Sequence, residues 1–425
     1  MKGAGEILLV SCYELGRQPV AVASALARLE QAGYAPAAQD VAVEKLSEDR
    51  VRAARFVGIS VPMHTALRLG VEVARRVRAW NPSARIAFFG LYAALNRDHL
   101  LERHADLALP SEEALVSALT GTEIERRTDP VPSRGGLPLL DRYARLDDGR
   151  VVASVEASKG CKHLCAHCPI VPVWQGRFVA VPRETVLADI GQQIEQGATH
   201  VTFGDPDFFN GPTHALRIVQ EMRRRWPAVT WDATIKIEHL LAHRALLPQL
   251  EGCLFITSAV ESLSDTVLLA LRKGHTAADV PAAVGLVRTA GIDLRPTLLP
   301  YTPWTRLEDL PALFDFAEEN DLVDQIDPVQ FTLRLLIPRG SAILDTPEPR
   351  PWLRAFDPEA FGWHWEHPDP KVDALCRNSG SAVRAGAGFD ELRALADAAN
   401  GRPPHPARPL GPRKRAPRLT EPWFC

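Results

Sequence analysis

The chain has 425 residues, 46% hydrophobic and 24% charged, an ordinary globular balance that argues against collagen, coiled coil or wholesale disorder. Lys plus Arg (49) against Asp plus Glu (52) leaves a net charge of −3, so no overall basic field points to nucleic acid or a membrane. No apolar run reaches the roughly 18 residues of a spanning helix, the first residues lack a signal peptide's apolar core, and seven cysteines make no disulfide framework in a chain this long.

A cytoplasmic protein of two or three domains is therefore expected. The first 125 residues alternate strand and helix. Glu6–Cys12 reads as a buried strand, Ala21–Ala32 as a helix stopped by Gly33, and Gln39–Val43 as a second strand. Phe56–Pro62, the helical run Ala66–Trp80, Arg85–Gly90 and Ala105–Leu109 follow. This pattern predicts an α/β, flavodoxin-like, doubly wound parallel sheet, whose ligands bind at the carboxyl ends of the strands. Cys12 with Tyr13 and Glu14, His64, and Tyr92 follow such strand ends and should face that crevice.

Residues 126–150, rich in Pro and Gly, read as a linker. A second βα series occupies 151–345. Its strands are expected at Val151–Ala157, His200–Gly204, Thr230–Lys236, Cys253–Val260, Ile292–Leu298 and Pro328–Leu335. Six such units make a partial (β/α)6 barrel, since a closed one needs eight. Residues 346–425 form an irregular extension, and its aromatic residues between Pro347 and Pro370 follow no helical or strand period. Arg402–Arg418 holds six Pro, five Arg, one Lys and no acid, so a flexible, extended arm is expected there.

Cys161, Cys165 and Cys168 form C-x3-C-x2-C directly after the first strand of the second series, where a barrel's active-site face begins. Three thiolates on one tight loop can each hold a different iron of a cubane cluster. No fourth cysteine is near in sequence, which leaves one metal position open, as in catalytic sites. Zinc with His163 or His167 as fourth ligand is the alternative, although structural zinc favours paired knuckles.

This spacing and placement resemble the radical S-adenosylmethionine (SAM) superfamily. The resemblance implies a 4Fe-4S cluster on Cys161, Cys165 and Cys168, and SAM split reductively to a radical. It also implies an electron donor such as flavodoxin or ferredoxin. Gly204 and Asp205 lie where that family receives the SAM amino group, with helix or turn capping as the alternative for Asp205 and Asp207. Ser258 to Thr276 resembles a stretch of the cobalamin-linked members, which implies SAM contacts for Ser258 and Glu261. Arg334 is placed near the barrel mouth, with a carboxylate partner or an ordinary ion pair as its two readings.

The first domain resembles the cobalamin-binding type, so cobalamin stays open, although the D-x-H-x-x-G motif is absent. Segments Ser11–Gly16, Gly58–Gly70, Gly90–Ala93 and Arg334–Pro338 resemble the narrower group with a CUAEP or CCAEP tail. That resemblance implies a reactive Cys425, with a selenocysteine codon read as a stop after it. The leading expectation is a radical SAM enzyme acting on a small molecule. The alternatives are a cobalamin-dependent radical SAM methyltransferase and a non-catalytic zinc- or cobalamin-binding carrier. A nucleic-acid partner is not expected, because no basic domain with a strand pattern follows the barrel.

Overall fold

Apolar strand segments joined by helices assemble into two separate parallel sheets. The computed structural model describes residues 3–123, 129–345, 350–405 and 415–421 of the chain. Cys425 lies outside the described residues. In the first sheet β1 (Ile7–Ser11), β2 (Ala37–Asp40), β3 (Phe56–Ser60), β4 (Arg85–Phe89) and β5 (Leu107–Leu109) are parallel in the order β2-β1-β3-β4-β5. This is the expected doubly wound, flavodoxin-like order. Leu8, Val10, Ile59 and Phe88 pack on helix His64–Trp80, while Ile7, Leu9 and Phe89 pack on helices Val20–Gln31 and Glu112–Thr120. Both faces are covered, so β1 is buried throughout. The second strand ends earlier than its sequence suggests because Asp40 turns the chain, its carboxylate accepting from Ala42 N at 3.1 Å.

The second sheet contains β6 (Val152–Val155), β9 (His200–Phe203), β10 (Thr230–Thr234), β11 (Cys253–Glu261) and β12 (Asp293–Leu298), in the order β12-β11-β10-β9-β6. Between β6 and β9, the antiparallel pair β7 (Ser158–Gly160) and β8 (Phe178–Ala180) frames a loop. The expected sixth strand does not form. Asp327 caps a 3-10 turn at Pro328–Thr332, and only one parallel bridge follows, Tyr301 to Arg334. Pro328 favours the first position of a helical turn and brings no N–H for a ladder. The result is a barrel open on one side, which is the partial-barrel architecture expected.

Order in the extension exceeds what its sequence suggested. β13 (Leu353–Asp357) and β14 (Gly362–Trp365) form an antiparallel hairpin. A register shift between Leu353 and Phe356 breaks the alternation, which hides the strands from a period-two reading. The hairpin turn reaches back to the first sheet and buries Phe361 in that sheet's core. Helices Pro370–Arg384 and Phe389–Ala399 follow, and Phe389 stacks edge-on to Phe314 at 5.2 Å.

Two segments expected to be loose are held. Arg134, in the Pro/Gly-rich stretch, is fully buried and makes bonds of 2.7 and 3.0 Å to Asp189. The final described segment, Arg415–Glu421, lies as a strap across the open side of the barrel. Leu419 bridges Leu146, Arg418 O accepts from Asp147 N at 2.7 Å, and Arg295 Nη2 donates to Pro417 O at 2.8 Å. Arg418 itself donates to Asp324 O at 2.9 Å. These bonds hold the end of the arm expected at Arg402–Arg418, whose residues 406–414 lie outside the described residues. Among the described residues no helix is long and apolar enough to cross a membrane.

Candidate active site

The three-cysteine loop runs from the end of β7 to helix Ile170–Trp174. Gly160, with φ of +81°, makes its entry, and a Cβ there would sit 2.4 Å from the Trp174 ring. Only glycine fits this backbone and this approach. The loop is pinned from several elements. Lys162 N donates to Asn210 Oδ1 at 3.2 Å, and Asn210 Nδ2 returns a bond to Gly160 O at 3.2 Å. Ala166 N bonds Leu271 O at 2.9 Å, and Ala166 O accepts from Ser341 Oγ at 3.1 Å. Cys161 and Cys165 are buried, Cys168 is half-buried, and none is in a disulfide.

Burial raises the Cys161 thiol, and it pushes the Cys168 thiol up to about 12. Bare thiolates are thus unfavourable here, and a bound cation reverses that preference. Three sulfur donors on one fixed loop fit a 4Fe-4S cluster. Each nearby imidazole has its Nε2 against a carboxylate, and His167 Nδ1 is buried without a partner. His163 Nε2 lies 3.1 Å from Asp207 Oδ2, and His167 Nε2 lies 3.4 Å from Glu261 Oε1.

Beside the loop, a cavity of about 580 Å3 fills the barrel, and its walls include His167, Gly204, Asp205 and Glu261. Gly204 N donates to Val155 O at 2.8 Å, which places Asp205 just past the end of β9. Asp205 is 2% exposed and accepts from Ala157 N at 2.9 Å and Ser158 Oγ at 2.6 Å. Burial raises its pKa to about 6 against those hydrogen bonds. Asp207 does cap the following turn through Phe209 N at 3.0 Å, and it also binds His163. Burial would raise Asp207, but the two imidazoles His163 and His239 bring it down to about 2.

Glu261 ends β11 in a left-handed conformation, φ +62°, where a register shift interrupts the pairing with β12. Such strain in a non-glycine residue is retained only when its surroundings fix it. Lys273 does so with a 3.0 Å bond to Glu261 Oε1. Burial would raise Glu261, but Lys273 and His167 hold it well below the carboxylate range. Lys273 also feels Cys165 and Cys168, which puts a fixed cation beside the thiol loop. It was hidden in the sequence as one more charge in a helical run.

Of two further expected residues, one lies off the cavity and one lines it. Ser258 is fully buried, but alternation along β11 turns it away from the face that presents Thr257 and Glu261, and it does not line the cavity. Arg334 lines the cavity but finds its carboxylate within the chain. It bonds Asp373 at 2.6 Å and Trp365 O at 2.7 Å and lies 3.5 Å over the Trp365 ring.

At the first sheet the expected convergence divides. His64 Nε2 is 2.7 Å from Ala360 O of the hairpin turn, with Tyr92 edge-on at 5.8 Å. Cys12 faces a different cavity of about 890 Å3, lined also by Tyr13, Glu44, Tyr143 and Glu421 and by no imidazole. A cobalamin held by a histidine lower ligand does not fit the described lining of this edge.

Comparison with known proteins places this arrangement. No family model matches the chain. A tRNA-2-methylthio-N(6)-dimethylallyladenosine synthase of Vibrio parahaemolyticus is 24% identical over 231 residues, 50% of this chain and 48% of that one. One from Pseudomonas paraeruginosa is 29% identical over 175 residues, 37% of this chain and 38% of that one. The chain thus spans about half the length, or less, of these curated relatives. Among solved structures, the cobalamin-dependent SAM radical enzyme OxsB, with aqua-cobalamin and SAM bound, superposes with a TM-score of 0.68 at 13% identity. It covers 93% of this chain and 70% of its own. The radical SAM methyltransferase TsrM of Kitasatospora setae, with cobalamin and a [4Fe-4S] cluster, gives 0.62 at 14% identity over 93% and 99%.

The chain shares the fold of the radical SAM enzymes OxsB and TsrM. Its relatives and neighbours are radical SAM enzymes. None of the proteins named here is described by a cysteine tail, so the narrower tail-bearing group stays a resemblance of the sequence. The curated relatives are named for a tRNA product, so the composition argument against nucleic acid is not carried by them.

Proposed function

We propose that the protein cleaves SAM reductively at a cluster held by Cys161, Cys165 and Cys168, and directs the radical onto a small molecule in the 580 Å3 cavity. The observation that carries this reading is a single cavity lined by His167 and Pro169, which flank Cys168 on the thiol loop, and by the carboxylates Asp205 and Glu261. A bound 4Fe-4S cluster supplies the electron that splits the sulfonium of SAM into methionine and a 5′-deoxyadenosyl radical. The chain's own residues do the rest. Asp205 accepts from the SAM ammonium. Glu261, fixed by Lys273, shapes the wall beside His167. Leu335, Leu336 and the strap residue Leu419 keep water from the chamber.

The test is anaerobic reconstitution with iron and sulfide, then reduction in the presence of SAM. The native protein should yield 5′-deoxyadenosine, and the C161A/C165A/C168A variant should yield none. A native protein that takes up only zinc would sink the reading and favour the carrier. S-adenosylhomocysteine beside 5′-deoxyadenosine would favour the methyltransferase, which rests on the superposition with TsrM. A part for Cys425 rests on the tail resemblance and on the docking of Arg415–Glu421 at the cavity wall. Its test is C425S, which should lower turnover of substrate and leave SAM cleavage intact.

A further inference from the structure

The walls of the 580 Å3 cavity are unevenly charged. At the carboxyl ends of the strands each carboxylate has its donors: Asp205 has Ser158 and Ala157 N, and Glu261 has Lys273. Asp327, on the wall beyond β12, faces Arg418 at 3.5 Å, and Arg334 has Asp373. Further in, the balance changes. Arg295 stands opposite Thr257, four residues before Glu261 and so roughly 13 Å along the strand from it. Its guanidinium lies 3.9 Å over the Phe255 ring and donates to Pro417 O at 2.8 Å, and its Nε is buried without a partner. Carbonyl and ring neighbours take its hydrogen bonds and leave its charge.

Arg17, on the loop after β1, lines the same space. Among the described residues its side chain has no hydrogen-bonded or ion-paired partner, and its Nε is also buried unpaired. It is close enough to Arg295 for the two to repel. Asp232, the carboxylate whose field Arg17 feels most, is turned to His200 Nε2 at 2.8 Å and Thr202 Oγ1 at 2.6 Å. Glu14 does not line this cavity; it accepts from Val20 N at 3.1 Å, and burial pushes its pKa up to about 8. The two guanidiniums thus share Asp232, which is already engaged by His200 and Thr202, and Asp147, whose field reaches Arg295, is tied to Arg415 and to Arg418 N. An uncompensated buried charge is costly, and an anion between the two removes that cost.

We propose that the substrate carries an anionic group, a carboxylate or a phosphate, held between Arg17 and Arg295 under the strap. The reacting carbon then lies toward Glu261 and the thiol loop. Guanidiniums suit this task because they match planar oxyanions in two-point contacts. The inference rests on reading this cavity as the substrate chamber.

The experiment uses the full chain, reconstituted anaerobically with SAM present. Benzoate, phenyl phosphate and benzamide are titrated by calorimetry as matched probes. The expected result is that at least one anion binds about ten-fold more tightly than neutral benzamide. The tighter of the two anions identifies the group. R17Q and R295Q should each weaken that anion about ten-fold while cluster absorption, the sign of correct folding, is kept. Should one variant lose its cluster, the other carries the same comparison. Benzamide binding as tightly as both anions, or anion affinity unmoved in a folded variant, overturns the inference. SAM cleavage with no preference for anions refutes this proposal alone. Anion binding without SAM cleavage refutes the proposed function alone.

Discussion

Lys273 Nζ lies 3.0 Å from Glu261 Oε1, and both side chains are buried at the carboxyl end of β11. Removing the lysine leaves a strained, buried carboxylate without its cation. K273M should therefore destabilise the protein by about 3–5 kcal/mol, read by urea unfolding. The pair also sets a pH response. Glu261 is held low, so its contribution is present at neutral pH and is lost as pH falls below the ordinary carboxylate range. Lys273 is held high, so its contribution is lost only in strong alkali. An acid-side loss of stability that is the same in K273M and wild type would contradict this.

Gly160 offers a steric test of the thiol loop. G160A places a methyl 2.4 Å from Trp174 and 2.6 Å from Arg177 O at a φ of +81°. The entry to the loop must shift, at a cost of about 1–3 kcal/mol for the backbone alone. Iron and sulfide content after reconstitution should fall well below wild type. Trimming the ring in G160A/W174A should recover only part, because the Arg177 carbonyl and the positive φ stay.

Asp205 should give SAM binding an acid limb. Its carboxylate titrates near about 6, raised by burial. Below that pH it takes up a proton and loses its attraction for an ammonium, and SAM affinity should fall about ten-fold per unit. D205N should flatten the limb and weaken binding above it. Stability moves the other way. A folded pKa above the ordinary 3.8 means that stability declines as pH rises from about 3.8 to about 6. D205N should remove that decline, measured by thermal unfolding across the window.

Arg134 tests whether the Pro/Gly-rich stretch is a tether or a structural joint. Its guanidinium is fully buried against Asp189, Ser154 O and Gln18. R134A leaves the buried Asp189 carboxylate without its cation and with only the Gln192 amide donating to it at 2.8 Å, which should cost about 3–5 kcal/mol in urea unfolding. A tether would show almost no change.

R418A tests the strap. It removes donors to Asp324 O and Ile326 O as well as the contact with Asp327. Trypsin should then cut after Arg415 at a rate several-fold above wild type, with the barrel itself still resistant. Equal rates would show that the Leu146–Leu419 pairing alone holds the segment.

The first sheet was legible because β1, β3 and β4 are largely apolar runs between helices, which is the signature of burial on both faces, and the second because its strands alternate with helical runs. The thiol loop was legible because its ligands lie within eight consecutive residues. Residues whose part depends on folding were not. Arg17 and Arg295 are 278 positions apart, and nothing local marks either one. Lys273 looks like a surface charge until β11 ends beside it. Ser258 was misplaced because a motif gives position along a strand but not the face, which alternation decides. The strap was missed because its composition describes a chain without partners, whereas Asp147, Asp324 and Pro417 supply them.

The strap also has a meaning in time. Residues 415–421 leave the ribosome after every part of the barrel they cover, and domains form as they emerge. The wall that Leu419 completes against Leu146, and that Pro417 completes against Arg295, is therefore added only after the strands it covers have been made.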